Sequence, residues 1–381
     1  MKRILILLAA VLCLTACHDP EKEARERQVV LVYFAGNNSL SAEGVDDFTS
    51  LKASWLPKEK DRSHILLVYR HFTDQTPTLM RLYKDRNGNT VEQIIREYSF
   101  DSNSADSRTL ASVLADAEEA WPSASHGLIL WSHASGFLPP GYYSDPKEQA
   151  DGASLLSFAV DRGEEMDLTE LRQALSKQHH AFIIFDCCLM ANVEVAYELK
   201  DVTDYVGFSQ AEVLAEGFDY LNLADRLLGG DSADPLAVCK DYFAQYENAG
   251  SSESFATISL VETSQMEQLS RVCATLFDRY NGELATMSGS GVQGYFRFGR
   301  HFFYDLEDIM IHAGATDDEL ATLRAAMDKA IVYKAATDKF ISFDINVFSG
   351  LSMYLPSMGT DYLDDFYRSE VSWNDATALV R

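Results

Sequence analysis

Short, uninterrupted apolar runs recur along the chain and are separated by amphipathic segments. The apolar runs have the length of single strands and cover 29–34, 65–69, 127–131, 181–185 and 205–209. Runs without polar alternation are typical of strands that helices cover on both faces. Between them, residues 107–120, 168–175 and 189–200 have the apolar spacing of helices. The pattern predicts an α/β fold, with a largely parallel sheet between layers of helices.

The rest of the pattern completes this predicted architecture. Residues 79–83 and 91–98 flank the turn-forming segment 85–89, which indicates a hairpin. The second half is helix-rich; its predicted helices cover 235–246, 263–281 and 317–335, and a last strand lies within 350–356. We therefore expect a core at 28–233 and a helix-rich C-terminal part at 234–381 that completes the sheet.

Composition and charge exclude some classes of function. The chain has 381 residues, of which 47% are apolar and 24% charged, as in ordinary soluble globular proteins. Its 32 basic and 58 acidic residues give a net charge of −26. Nucleic-acid binding depends on neutralising phosphates with lysine and arginine, so nucleic acid is excluded as a partner.

The N-terminus has the layout of a bacterial export signal. Lys2 and Arg3 precede an apolar run at 4–14, which is too short to span a bilayer. The sequence Leu14-Thr15-Ala16-Cys17 resembles a lipobox, which implies a signal peptide at 1–16, lipidation of Cys17 and a charged tether at 17–27. We expect an outer-membrane lipoprotein of the cell envelope, and its periplasmic or surface orientation stays open. The alternative is an ordinary secretory signal with a chance cysteine.

The remaining cysteines are Cys187, Cys188, Cys239 and Cys273. Four cysteines in so long a chain do not form a disulfide framework, and none has zinc-site spacing. The chain also lacks a Gly-rich phosphate loop after its first strand. We predict no metal site and no cofactor.

Chemically capable residues follow two of the predicted strands. One strand is followed by His133, and the other by Asp186, Cys187 and Cys188. In open α/β sheets, sites form beyond the carboxyl ends of the strands, so the histidine and a cysteine would share a cleft if these strands are neighbours. The helix predicted to begin after Cys188 would favour its thiolate, which beside an imidazole is an activated nucleophile. The alternative is inert packing of both residues.

The residues around these strand ends resemble those of the clostripain family, in the caspase–gingipain–legumain group of cysteine peptidases. The matching stretches are Leu31-Val32-Tyr33 with Asn37-Asn38-Ser39-Leu40, Trp131-Ser132-His133, Ala159-Val160-Asp161 leading to Leu168-Thr169-Glu170-Leu171, Phe185-Asp186-Cys187-Cys188-Leu189-Met190, and Gly350-Leu351-Ser352-Met353-Tyr354. They follow the family's order through nearly the whole mature chain, and Asp-x-Cys-Leu-Met is the most specific. The resemblance implies a caspase-like three-layer αβα sandwich, with 28–233 as the catalytic core of a cysteine endopeptidase.

The resemblance also implies roles for individual residues. Cys188 matches the nucleophile and His133 the general acid/base, whereas Cys187 matches a position that is usually alanine. Asp186 matches an acid at the floor of the S1 pocket, which implies peptide or protein substrates cleaved after arginine or lysine. Its alternative role is that of a helix N-cap.

Two further implications concern the oxyanion hole and processing. The N–H of Ala134 would help to hold the oxyanion, but the family has glycine there. A positive φ at Ala134 would cost on the order of 1 kcal/mol. The family's habit of self-cleavage between the histidine and cysteine strands implies Lys147 or Arg162 as the cleaved residue. Because of Ala134, a catalytically degenerate lipoprotein that acts as a binding module is the rival interpretation.

Overall fold

The computed structural model describes residues 27–140, 158–248, 254–296 and 301–381. The strands are β1 (Gln28–Gly36), β2 (His64–Phe72), β3 (Thr78–Lys84), β4 (Thr90–Glu97), β5 (Ser125–Trp131), β6 (Phe158–Asp161), β7 (Glu164–Met166), β8 (Phe182–Asp186), β9 (Tyr205–Phe208), β10 (Thr257–Glu262), β11 (Phe303–Asp305), β12 (Ile331–Ala336), β13 (Lys339–Phe340), β14 (Phe343–Asp344) and β15 (Ser352–Tyr354). The helices are α1 (Ser41–Ala53), α2 (Ser107–Ala120), α3 (Leu168–Leu175), α4 (Val193–Glu198), α5 (Tyr220–Leu228), α6 (Pro235–Glu247), α7 (Met266–Arg279), α8 (Asn281–Thr286), α9 (Leu306–Ala313), α10 (Asp317–Ala330), α11 (Asp361–Glu370) and α12 (Ser372–Thr377).

A nine-stranded sheet organises the molecule, in the order β12-β10-β9-β8-β5-β1-β2-β3-β4. Strands β2, β1, β5, β8 and β9 are parallel to one another. The strands at both edges are antiparallel, and β3 with β4 forms the predicted hairpin. The α/β class and the largely parallel centre of the sheet are therefore confirmed.

Helices cover both faces of the sheet, because the central strands are apolar on both sides. In β1, Val29, Leu31 and Tyr33 pack into one core, which includes residues of α2, α3 and α7. Val30 and Val32 belong to the core on the opposite face, beneath α1, α5 and α6. Successive side chains of a strand point to opposite faces, so an unbroken apolar run fills two cores.

The structure corrects three predicted elements. Residues 331–335, predicted as the end of a helix, form β12 and pair antiparallel with β10, because α10 ends at Ala330. The helix predicted at 189–200 is confined to α4, since the chain first makes a turn after β8. The strand predicted within 350–356 is present as β15 but pairs with β11 outside the main sheet. No helix in the described ranges is long and apolar enough to cross a membrane.

Candidate active site

The register of β5 and β8 brings the predicted catalytic residues to one edge of the sheet. The strands are parallel neighbours, and Trp131 lies opposite Asp186 in the register. His133 and Cys188 each come two residues later, so both emerge at the same level. Both line one cavity of about 240 Å³. The condition stated for a shared cleft, that the two strands be neighbours, is thus met.

His133 is half-buried, and its environment keeps the imidazole neutral. Burial lowers the pKa of His133 below its usual value, and the charge of Glu43 opposes this only in part. Its Nε2 lies 2.9 Å from Ser39 Oγ, in the loop that follows β1. A neutral imidazole can accept a proton from a thiol, which is the first requirement of a general base.

Asn38 and β6 hold the segment that carries His133. Asn38 Nδ2 donates to the carbonyls of Ala35 at 2.9 Å and Val160 at 2.8 Å. The N–H of Val160 donates to Ser132 Oγ at 3.2 Å. Asn38 and Ser39 were given no role from the sequence, although they follow a parallel strand adjacent to β5. That position relative to the strand ends was the signal that could have identified them.

Cys188 lies in a turn, not at the start of a helix. Its Sγ is 3.4 Å from the Val213 nitrogen and 3.7 Å from the Val213 oxygen, and the side chain is half-buried. Helix α4 begins only at Val193, where Asn192 supplies the cap by accepting from the Val195 N–H at 3.0 Å. The expected help of a helix dipole to the thiolate is therefore wrong, because the dipole acts within the first turn.

The other cysteines of the described chain are sealed in the core. Cys187 is 1% exposed, and its Sγ donates to the Leu130 carbonyl at 3.1 Å. Burial also raises the pKa of the Cys187, Cys239 and Cys273 thiols above the usual range. A buried thiol with a raised pKa is a poor nucleophile, so geometry favours Cys188 over its neighbour.

Asp186 ends β8 and lines the same cavity. Its Oδ2 accepts from the Tyr220 hydroxyl at 2.9 Å and from the Phe218 N–H at 3.2 Å. Burial raises the pKa of Asp186 to about 7, against the lowering effect of both hydrogen bonds. Because α4 is capped by Asn192, the alternative of Asp186 as a helix N-cap is wrong.

Ala134 has no positive φ; in this turn the positive φ belongs to Gly136, at +70°. Its side chain is 3% exposed and packs into the core. A Cβ on Gly136 would lie 2.5 Å from Asn192 Nδ2 and 2.9 Å from the Leu189 carbonyl oxygen. The conformational cost expected for alanine after His133 is therefore absent, because the residue of this turn that needs glycine is Gly136.

Of the residues predicted for processing and anchoring, only Arg162 lies within the described residues. Arg162 lies in the tight turn between β6 and β7, with φ +53°, and Gly163 follows with φ +84°. Its guanidinium contacts Asp161 Oδ1 at 3.2 Å and the Asp101 carbonyl at 2.8 Å. Arg162 is thus held in a tight turn, whereas a peptide bound as an added β-strand is extended. Lys147 and Cys17 lie outside the described residues.

In the described ranges, no three histidine, cysteine, aspartate or glutamate side chains are grouped so as to hold a metal ion.

A family model described as "Clostripain family" matches residues 32–378 of the chain. No curated protein matches the chain. Among solved structures, the chain is similar to an inactive zymogen C11 protease from Parabacteroides distasonis, with 28% identity and a TM-score of 0.80 over 92% of this chain and 97% of the other.

Two further solved structures are similar and contain inhibitors. A secreted C11 cysteine protease from Bacteroides thetaiotaomicron, in complex with an irreversible peptide inhibitor, is 25% identical with a TM-score of 0.77 over 92% of this chain and 98% of the other. A clostripain from the same species, in complex with the peptide inhibitor BTN-VLTK-AOMK, is 26% identical with a TM-score of 0.50 over 57% of this chain and 97% of the other.

Proposed function

Because the chain belongs to the clostripain family of cysteine peptidases, we propose that it is an endopeptidase with Cys188 as nucleophile and His133 as general acid/base. One observation carries the proposal. The parallel register of β5 and β8 aligns a half-buried thiol with a half-buried imidazole at the wall of one cavity. A nucleophile and a base must meet in this way for acyl transfer.

The chemistry follows from these two groups. His133 accepts the Cys188 proton, and the thiolate attacks the carbonyl carbon of the scissile bond. The N–H groups of Cys188 and Ala134 stabilise the negative oxygen of the tetrahedral intermediate. His133 then donates its proton to the leaving amine, and water hydrolyses the thioester. Since Ala134 has no positive φ, nothing in its backbone conformation opposes this role.

Substrate preference is assigned to Asp186. A buried carboxylate at the wall of the cavity favours a lysine or arginine side chain before the scissile bond. The Bacteroides thetaiotaomicron clostripain was captured with an inhibitor whose peptide, VLTK, ends in lysine. That relative supports a basic preference for this chain as well.

The natural setting of the enzyme is also proposed. Lipidation of Cys17 tethers the peptidase to the cell envelope, most simply at the outer membrane, through the segment 17–27. Self-cleavage occurs after Lys147, in the segment between β5 and β8, because Arg162 lies in a closed turn. Intact mass of the purified chain beside Cys188→Ala tests cleavage, and membrane fractionation of Cys17→Ser tests anchoring. An identical uncut mass in both proteins, or unchanged membrane association, overturns the respective assignment.

The catalytic proposal is tested with two adjacent cysteines as a matched pair. Cys188→Ala should abolish hydrolysis of peptides with arginine or lysine at P1, whereas Cys187→Ala should retain it, because the Cys187 thiol is buried and donates to the Leu130 carbonyl while the Cys188 side chain is only half-buried. A thiol alkylator should inactivate the wild type and modify Cys188. Activity that survives in Cys188→Ala refutes the proposal. A wild type that binds these peptides without cleaving them supports the rival interpretation of a binding module.

A further inference from the structure

A second buried carboxylate, Asp47, lies beside Asp186. Asp47 is on α1, 7% exposed, and its Oδ2 accepts from Trp131 Nε1 at 2.8 Å. Trp131 is the β5 residue opposite Asp186 in the strand register. Asp47 is therefore tied through Trp131 to the same pair of strand ends as Asp186. Trp131 and Asp186 lie two residues before His133 and Cys188 in the sequence.

The two carboxylates converge on Gly217, which lines the cavity with His133 and Cys188. A Cβ on Gly217 would lie 2.7 Å from Asp186 Oδ2 and 3.2 Å from Asp47 Oδ2. Gly217 has φ +56°, and its carbonyl accepts from the Tyr246 hydroxyl at 2.9 Å. Because Gly217 has no side chain, no Cβ fills the space that lies close to both carboxylates, of which Asp186 lines the cavity.

Within the described part of the chain, this pair carries no compensating cation. Among the ion pairs of the described residues, none includes Asp47 or Asp186, and the charges acting on Asp47 come from Asp186, Asp46 and Glu216, all acidic. Burial, and next the charge of Asp186, raise the pKa of Asp47 to about 8. Two neighbouring buried carboxylates without a positive partner destabilise the folded chain, and a bound cation would relieve this.

We propose that Asp47 is a second specificity-determining residue, which joins Asp186 in binding the guanidinium of a substrate arginine and makes the S1 pocket prefer arginine to lysine. The inference rests on the proposed function, because it requires that the cavity be the S1 pocket. A guanidinium has five donors in a planar fork and can serve two carboxylates at once. An ammonium is a compact point charge that one carboxylate already serves, and Asp47, which does not itself line the cavity, is the more distant of the two.

The proposal has a consequence for stability as well as for binding. Because the pKa of Asp47 is raised, its contribution to stability is greatest at acidic pH and is lost as pH rises from about 4 to about 8. An asparagine keeps an acceptor for Trp131 but removes the charge. Asp47→Asn should therefore melt at a higher temperature than the wild type at pH 8, with a smaller gain at pH 5. A purely structural carboxylate would give a loss instead.

The experiment compares wild type, Asp47→Asn, Asp186→Asn and the control Asp46→Asn, which removes the same charge from an exposed position one residue away. One peptide is used with arginine, lysine or norleucine at P1. Asp47→Asn should raise KM for the arginine peptide by about ten- to hundredfold, as for a lost charged hydrogen bond, with a smaller rise for lysine and none for norleucine. The wild-type KM for arginine should fall as pH rises through 7 to 8, and this dependence should be weaker in Asp47→Asn. Asp46→Asn should resemble the wild type throughout.

The outcomes separate this inference from the proposed function. A wild type without preference for basic peptides refutes the assignment of the S1 pocket. A wild type that prefers arginine, with Asp47→Asn unchanged or equally impaired on all three peptides, refutes the role of Asp47 alone. Binding of agmatine, a guanidinium compound, provides a measurement that needs no turnover. It should raise the melting temperature of the wild type and Asp46→Asn more than that of Asp47→Asn, and equal shifts overturn the inference.

Discussion

Replacing Gly136 by alanine tests where the turn after His133 requires glycine. The new Cβ would meet Asn192 Nδ2 at 2.5 Å and the Leu189 carbonyl oxygen at 2.9 Å, in a residue with φ +70°. The carbonyl is backbone and cannot rotate away. Asn192 is completely buried, and its side chain donates to Leu189 and caps α4. The substitution therefore disturbs the turn that carries Cys188 as well as the one that carries His133.

The magnitude follows from three contributions. A positive φ costs alanine about 1–2 kcal/mol, a weakened N-cap costs about 1 kcal/mol, and overpacking against Leu189 costs at least about 1 kcal/mol. Since the backbone will relax in part, we expect Gly136→Ala to lower the free energy of unfolding by about 2–4 kcal/mol. A displacement of the catalytic groups by ~1 Å can reduce turnover by about 10²-fold, and we expect kcat/KM to fall on that order.

Ala134→Gly is the matched comparison, two residues away. It removes a buried methyl group at a position without positive φ, so it should cost about 1–2 kcal/mol of stability and leave kcat/KM within about threefold of the wild type. Urea denaturation and hydrolysis of an arginine peptide measure both effects. The reasoning is refuted if Gly136→Ala leaves stability and kcat/KM unchanged while Ala134→Gly strongly raises kcat/KM, because glycine would then be required next to His133.

Three further substitutions test the surroundings of the site. Ser39→Ala removes the contact with His133 Nε2 and should lower kcat about tenfold with little change in KM, measured by steady-state kinetics; an equal change in KM would contradict a role in orienting the imidazole. Asp161→Asn should destabilise the chain by about 2–4 kcal/mol, because the buried Asp161 carboxylate binds His71 and accepts from the Ser104 N–H. Burial raises the pKa of Asp161, but these hydrogen bonds outweigh it and lower the pKa below the usual value. Its contribution to stability is therefore present above pH ~4 and is lost in more acidic solution. A wild type and an Asp161→Asn variant that unfold alike at pH 7 would refute this. Burial raises the pKa of Glu194 to about 7, so its contribution to stability is lost as pH rises from about 4.5 to 7. Glu194→Gln should therefore raise the melting temperature at pH 8 more than at pH 5, and an equal gain at both pH values would contradict this.

The sequence alone supported most of the architecture. Apolar runs without polar alternation identified the strands of the parallel centre, including the two neighbouring strands that end near His133 and Cys188. These inferences succeeded because burial on both faces of a sheet leaves a local signature in each strand. The family resemblance then distinguished Cys188 from Cys187, and the burial of Cys187 agrees with that choice.

Asp47 was missed although the sequence contained a signal for it. The buried residues of α1 are Gly44, Asp47, Phe48 and Leu51, so the carboxylate lies on the stripe that faces the core. An aspartate on such a stripe is costly unless it has a partner, and this alone would have marked it for attention. Its neighbour Asp186 is 139 positions away in the chain, and local periodicity says nothing about such a pairing.

The sequence by itself therefore determined the strands of the parallel centre and most of the helices, since each depends on neighbours within a few residues. The choice of His133 and Cys188 as the candidate reacting pair came from the family resemblance. Only the tertiary structure decided that β5 and β8 lie side by side, that the turn after His133 requires its glycine at Gly136, and that Cys188 lacks a helix behind it. Each of these depends on how distant segments pack against one another. Packing is a property of the whole chain, because a strand or turn takes its neighbours from whichever arrangement buries the most apolar surface while pairing its polar groups.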